Sequence, residues 1–456
     1  MRPSIAPPGA ISVGCAPVSL IPRRENILRA RWLAALGCLF GVFALTVAAC
    51  GSDDKDSSGG GGGGATVSGD TLTIYSSLPL QGTSKEQSEA VIAGEKLALK
   101  QAGGKAGKFK IKYVSLDDST AQNPGTADEG QTAQNARKTV QDKSTIFYLG
   151  EFNSGGTKVS LPILNKAGIP QISPSNTAVG LTTDEAGADP GEPTKYYPAK
   201  TRTYARVVPK DTIQGAAIAT TMKEDGCKSV HLFNDKTTYG AGLARNIEAA
   251  AKSQGIKVEG NDGTDKNAPN YRSQASAIKA DCFVGSGVTG ENYVQVFKDV
   301  GAAQPDIKLY GPDGVAEEAF TNPKKGGIPA NLAPRTKITV ATLGLEEFKK
   351  RGNAKAEKFF TDYEKAYGQK QPDPYAIYGY ETMALALDSL KAVGDKANDR
   401  AAVVKQLVGN TKGRSSVLGT YDIDENGDTT LTDYGLYTIQ DGLPSFEKVI
   451  KAQPAN

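Results

Sequence analysis

Two short polar runs in this chain have the residue types and spacing to hold a small anionic group. Gly150-Glu151-Phe152-Asn153-Ser154-Gly155-Gly156-Thr157 follows the apolar segment 146–149, and Ser173-Pro174-Ser175-Asn176-Thr177 follows the apolar segment 169–172. Each reads as a junction from strand to helix. In a parallel sheet such junctions lie at the carboxyl ends of the strands, where ligands bind. Backbone N–H groups left free at a helix N-terminus, with a hydroxyl beside them, suit a carboxylate. Serine or threonine there also caps a helix in any α/β protein, so neither run alone separates binding from capping.

Groups for catalysis are scarce. His231 is the only histidine, and its place within a strand-like run marks it as structural. A Ser-His-Asp triad would depend on it alone, and a His-rich metal site is excluded. The chain has no G-x-S-x-G elbow and no Walker-type phosphate loop. Gly285-Ser286-Gly287-Val288-Thr289-Gly290 does fit the G-x-G-x-x-G spacing of a dinucleotide site. The acids downstream, Asp306 and Asp313, do not end a second strand as a ribose contact would, so a turn opening on a cleft is the simpler reading. Asp422, Asp424, Asn426, Gly427 and Asp428 match part of a calcium loop. Asp433, however, stands where a bidentate glutamate on an exiting helix is required. A hairpin turn on Asn426-Gly427 accounts for the same residues. No catalytic residue, metal or cofactor is expected.

The elements that must position these residues alternate. Strand-like runs at 71–75, 109–116, 146–149 and 169–172 are separated by helical patterns at 86–101, 126–142 and 158–167. A polar excursion at 182–201 interrupts the series. It resumes with helices at 213–225, 241–254, 271–280 and 291–300, and strands at 229–234, 257–259, 281–285 and 308–310. Two further helices follow at 357–367 and 378–393, then a strand and turn at 421–433. Such alternation builds βαβ units on mostly parallel sheets, and two series imply two α/β lobes. A length of 456 residues also exceeds what one core organises.

The first 50 residues read as an address. Basic residues between Arg23 and Arg31 precede an uncharged run, 32–49, as in a signal peptide. Val47-Ala48-Ala49-Cys50-Gly51 looks like a lipobox, which implies cleavage before Cys50 and a lipid on its thiol. Polar residues and six consecutive glycines, 59–64, then form a flexible tether. Its roughly 20 residues would reach about 25 Å. Residues 1–49 carry five of the 53 basic residues and one of the 50 acidic ones, leaving 48 against 49 and a net charge of −1. A near-neutral body offers nothing to nucleic acid. Cys227 and Cys282 each precede a strand-like run, which places them at the same end of neighbouring strands. They form a disulfide or stay as two buried thiols.

The runs 150–157 and 167–174 resemble the type I solute-binding proteins of branched-chain amino-acid ABC importers. So do 234–244, where Asn234-Asp235-Lys236-Thr237-Thr238-Tyr239-Gly240 opens a helix, and the turn Tyr310-Gly311-Pro312-Asp313-Gly314. The resemblance implies the type I periplasmic-binding-protein fold, with two Rossmann-like lobes, three crossovers as a hinge and a ligand cleft between them. It places lobe one at 71–207 and 343–418, and lobe two at 208–342 and 419–456. Residues 1–49 would be the signal peptide and 50–70 the lipidated cysteine with its tether. Ser154 and Thr177, with Ser175 between them, would hold a ligand carboxylate. Tyr239 would close on the ligand, and Asp313 would meet its ammonium group. The partners implied are an amino acid or similar small solute, an ABC permease, and the membrane through the lipid; the location is extracytoplasmic. A ligand sensor of the same fold is the rival reading, and an extracytoplasmic enzyme a more distant one. Two departures point to a more polar ligand than leucine: Gln87 or Ser88 stands where the family has an aromatic, and 286–288 lacks a cleft tyrosine.

Overall fold

The computed structural model describes residues 66–452. The expected export segment 1–49, the expected lipid site Cys50 and the expected tether up to residue 65 lie outside the described residues. Thr66 bridges to Asp399, and Val67 is buried with its N–H donating to the Asn398 carbonyl at 2.7 Å. Valine is the first residue after the glycines with apolar surface worth burying.

The first sheet comprises β1 (Thr71–Leu78), β2 (Lys105–Ala106), β3 (Phe109–Asp117), β4 (Thr145–Gly150), β5 (Gln171–Ser173) and β6 (Tyr204–Arg206), in the order β2-β3-β1-β4-β5-β6. All its pairs are parallel except β2 with β3. The second comprises β7 (Ser229–Asn234), β8 (Lys257–Gly263), β9 (Cys282–Ser286), β10 (Lys308–Gly311) and β11 (Thr336–Val340). A short ribbon of β12 (Arg414–Ser416) and β13 (Gly419–Tyr421) follows, and β14 (Tyr434–Gln440) and β15 (Leu443–Ile450) return to complete the second sheet. Its order is β15-β14-β11-β10-β9-β7-β8. The central strands β4 and β9 are buried at every position, as parallel strands covered on both faces require.

Helices clothe both sheets. The first is flanked by α1 (Lys85–Gln101), α2 (Glu129–Gln141) and α3 (Ser154–Lys166). Next come α4 (Asp211–Glu224), α5 (Thr238–Ser253), α6 (Arg272–Ala277), α7 (Tyr293–Ala303) and the single turn α8 (Glu318–Thr321). The chain then forms α9 (Leu345–Lys350), α10 (Ala354–Tyr367), α11 (Ala376–Val393) and α12 (Arg400–Val404). Helix α11 lies against α1 backbone to backbone. A Cβ on Gly94 would fall 2.1 Å from the Ala376 carbonyl oxygen, and one on Gly379 would fall 2.1 Å from that of Val91. The second core is stitched by edge-to-face rings, Phe233 to Phe283 to Phe297 to Phe320, with centroids 5.2, 5.7 and 4.9 Å apart.

The chain passes between the sheets three times: after β6, after β11, and before β14. Hydrogen bonds lace these passages together. Gln214 Nε2 donates to the Thr339 carbonyl at 3.2 Å, and Tyr434 donates to the Pro209 carbonyl at 3.2 Å. Arg206, fully buried at the end of β6, donates from Nε to Asp428 at 2.6 Å, while its N–H donates to the Gly427 carbonyl. Asp428 is thus spent on an arginine, and the turn around Asn426-Gly427 is a loop of the third passage rather than an ion cage.

The G-x-G-x-x-G run also has another purpose. It leads into a 3-10 turn, Thr289–Glu291, not directly into a helix. The space beside Gly285 and Gly287 is filled by the rings of Phe297 and Tyr293, leaving no cradle for phosphates. His231 is likewise structural, with Nε2 2.7 Å from Asp262. Cys227 and Cys282 are disulfide-bonded with Cα atoms 6.0 Å apart, at the same end of the parallel neighbours β7 and β9.

Candidate functional site

The carboxyl ends of the two sheets face each other across a cleft. In the first wall, β4 ends at Gly150 and α3 begins at Ser154, which is buried. The Ser154 hydroxyl accepts the Ala178 N–H at 3.4 Å. Thr177 is fully buried, and its hydroxyl lies close enough to the Asp211 carboxylate to lower that group's pKa. Ser175 differs from its neighbours, because its hydroxyl donates to the Phe152 carbonyl at 2.7 Å and so braces the wall itself. Behind the loop, Arg206 Nη1 donates to the carbonyls of Asn176, at 3.2 Å, and Ala178, at 2.8 Å. Those two bonds fix the backbone on either side of Thr177.

The second wall is anionic. Tyr239 lies in the first turn of α5, whose N-cap Thr237 accepts the Gly240 N–H at 3.0 Å. Its phenol donates to one oxygen of Asp313 at 2.7 Å, and the phenol of Tyr375 donates to the other. Burial raises the Asp313 pKa, while the hydroxyls of Tyr375 and Tyr239 pull it back. Burial, and then the charge of Asp313, drive both tyrosines well above their usual pKa. The Tyr375 ring meets Phe152 of the first wall edge-on at 5.0 Å, so Tyr375 touches both sides. Gly155 and Thr238, at the starts of α3 and α5, approach across the cleft; a Cβ on Gly155 would lie 3.9 Å from the Thr238 hydroxyl.

Asp211 opens α4 at the seam between the walls. Its N–H donates to the Thr177 carbonyl at 2.8 Å, and its carboxylate is buried. Burial pushes its pKa up to about 7, and the Asp313 charge adds to that; the Thr177 hydroxyl and Arg206 act against it. Neither Asp211 nor Asp313 has an ion-pair partner among the described residues. Two buried acids near a threonine hydroxyl and a helix N-terminus suit a group bearing both charges on one carbon.

Ser154, Thr177, Tyr239 and Asp313 therefore converge, and Ser175 supports the loop they share. Asp211, Tyr375 and Phe152 were not foreseen. Asp211 stands just before the helical pattern at 213–225, where nothing in the sequence separates it from an ordinary acid favoured by a helix dipole. Tyr375 lies 62 residues from Asp313, and only the Asp373-Pro374 stop before a helix marks its place. At the departures from the family pattern, Gln87 and Ser88 are buried, with Gln87 Nε2 and the Ser88 hydroxyl unpartnered. Ser286 donates to the Gly240 carbonyl at 2.8 Å and is thereby used up.

Comparison with known proteins bears on the family and the fold. The sequence profile of the periplasmic binding protein family matches residues 71–443. The Leu/Ile/Val/Thr-binding protein of Salmonella typhimurium is 26% identical over 361 residues, covering 78% of this chain and 88% of the relative. The leucine-, isoleucine-, valine-, threonine- and alanine-binding protein of Pseudomonas aeruginosa is 24% identical over 379 residues, covering 82% and 91%. Among solved structures, a leucine binding protein from Thermotoga maritima superposes with a TM-score of 0.70 at 20% identity, covering 83% of this chain and 98% of that one. A solute binding protein from R. palustris in complex with benzoate gives 0.67 at 21% identity, covering 85% and 98%.

Proposed function

Because the chain belongs to the periplasmic binding protein family, a family of extracytoplasmic solute-capturing proteins rather than enzymes, we propose that it carries an amino acid to an ABC permease. The ligand carboxylate meets Ser154 and Thr177, and its ammonium group meets Asp313, with Tyr239 closing over it. The observation that carries this reading is the buried Asp313 carboxylate, held by two phenols and by no ion pair among the described residues. Each lobe then grips one end of a zwitterion, which gives closure its driving force. The lobes are taken as 71–207 with 343–418, and 208–342 with 419–456. A lipid on Cys50 keeps the body at the membrane where the permease resides. The buried, unpartnered amide of Gln87 favours a ligand more polar than leucine.

Titration calorimetry of the full-length protein in detergent, against the amino acids and a set of small carboxylates, tests this. The expected result is a zwitterion that binds wild type and binds Asp313→Asn about 100-fold more weakly. Binding only of acids without an amine, indifferent to Asp313, would reject it.

A further inference from the structure

The body beyond residue 49 is neutral only on average. At the end of the first sheet away from the cleft, six stretches of chain meet: 66–71, 99–110, 137–145, 163–170, 198–203 and 391–405. Short bonds tie them together. The Lys110 N–H donates to the Asp70 carbonyl and the Thr73 N–H to that of Ser144, both at 2.8 Å. Asn165 Nδ2 donates to the Thr201 carbonyl at 2.8 Å, and Arg400 Nε to that of Thr145 at 3.0 Å. Lys108 pairs with Asp395 at 2.7 Å.

These stretches carry 14 basic and four acidic residues, which leaves 34 and 45 for the rest of the body. Three of the four acids are engaged. Asp395 holds Lys108, Asp142 accepts from Tyr75 and Ser144, and Asp399 caps α12. Of the bases, only Lys108 and Lys391 form an ion pair among the described residues. Helix dipoles account for Lys100, Lys138, Lys166 and Lys391, in the last turns of α1, α2, α3 and α11. They do not account for Lys105, Lys110, Lys143, Lys200 and Lys396, which stand outside those turns and are exposed. A cavity of about 450 Å³ opens on the same face, with Ala167, Val404 and Val408 in its lining beside Lys166, Arg202 and Lys405. The chain toward Cys50 also leaves from here. Thr66 bridges to Asp399, and fifteen residues, 51–65, separate it from Cys50. A coil of that length averages about 20 Å end to end.

We infer that this face lies on an anionic lipid surface, with its lysines against the headgroup phosphates. Each base near such a bilayer strengthens attachment about fivefold, and the attraction fades within about 8 Å at physiological salt. Many bases on one face therefore act together where the same number scattered would not. A soluble polyanion would meet the charges but leave the apolar lining of the cavity unused. The ligand cleft lies at the opposite ends of the strands, so this contact turns it away from the membrane and parks the body until a permease draws it off. That the chain is held within reach rests on the proposed lipid at Cys50; the charge of the face does not.

Lysine acylation tests the contact. Full-length protein is reconstituted in phosphatidylcholine vesicles with or without phosphatidylglycerol, treated with a membrane-impermeant acylating reagent and read by mass spectrometry. Lys143, Lys166 and Lys405 should react about fivefold more slowly in the anionic vesicles, while Lys236 and Lys350, exposed elsewhere, stay unchanged. High salt should restore their reactivity. Lys143→Glu combined with Lys166→Glu and Lys405→Glu should restore it at Lys105 and Lys110. All three side chains are exposed, so the melting temperature should match wild type. The inference is overturned if anionic vesicles protect none of these lysines, or protect Lys236 and Lys350 equally. It also fails if heparin in detergent protects them and the vesicles do not, which would make the face a polyanion site. The mass of the Cys50 peptide reads the anchor separately. Protection with Cys50 unmodified would spare this inference and sink the lipid, and a lipidated chain without protection would do the reverse.

Discussion

The first wall of the cleft offers hydroxyls and backbone N–H groups, whereas the second offers a carboxylate held by two phenols. They also differ in what lies behind them. Arg206 and Asp428 form a buried ion pair that fixes the first wall from within. In the second wall Asp313 is steadied by hydroxyls and an amide instead, from Tyr239, Tyr375 and Gln214. A neutral wall can thus be rigid in advance, while a charged wall completes itself as the lobes meet.

The largest test of that contrast is Asp428→Ala. Stranding Arg206 in the interior should cost about 3–5 kcal/mol, read from a urea midpoint. A loss below about 1 kcal/mol would show that the first wall stands without its brace. Burial alone would raise the Asp428 pKa, but the Arg206 charge and hydrogen bond outweigh it and lower the value. Its stabilisation is therefore present above the ordinary carboxylate range and lost as acid protonates it.

Next in size, Asp313→Asn should weaken amino-acid binding about 100-fold, some 2.7 kcal/mol, with little change in melting temperature. Thr177→Val, nearly the same shape, should cost about tenfold by removing one hydrogen bond to a charged group. If the threonine change proved the more damaging, the assignment of charge to the second wall would be reversed.

The smallest effect concerns Asp211, at the seam. Its folded pKa, about 7, lies above the unfolded value, so the native state holds more protons between roughly pH 4 and 7. Its share of stability is full at low pH and disappears as pH rises through 7. Between pH 6 and 8 wild type should lose about 1 kcal/mol more than Asp211→Asn. Equal slopes would mean that Asp211 is already ionised and belongs with the charged wall.

Much of this was legible before any coordinates. The period of strands and helices marked both sheets, and glycine and serine at the ends of 146–149 and 169–172 marked the first wall. Less visible was the closing hairpin: β15, with Glu447 and Lys448 amid apolar residues, has no clean alternation, because an edge strand need bury only one face. The helix expected at 271–280 shortened to Arg272–Ala277, since Ile278 turns extended to bury its side chain at 3% exposure. Asp211 and Tyr375 escaped for a common reason. What distinguishes them is a missing or distant partner, and pairing across the fold leaves no local pattern.

The close crossing of α1 and α11 at Gly94 and Gly379 bears on how the empty protein behaves. Tyr375 sits one residue before α11, so it travels with the first lobe while its phenol binds an acid of the second. On the proposed lobe boundaries this contact is a latch, and the ligand-free molecule is expected to sample the shut state before any cargo arrives. The incoming ammonium competes with that phenol for Asp313. Tyr375→Phe should then rest more open yet bind no more weakly, because it forfeits a rival for the same acid along with the latch.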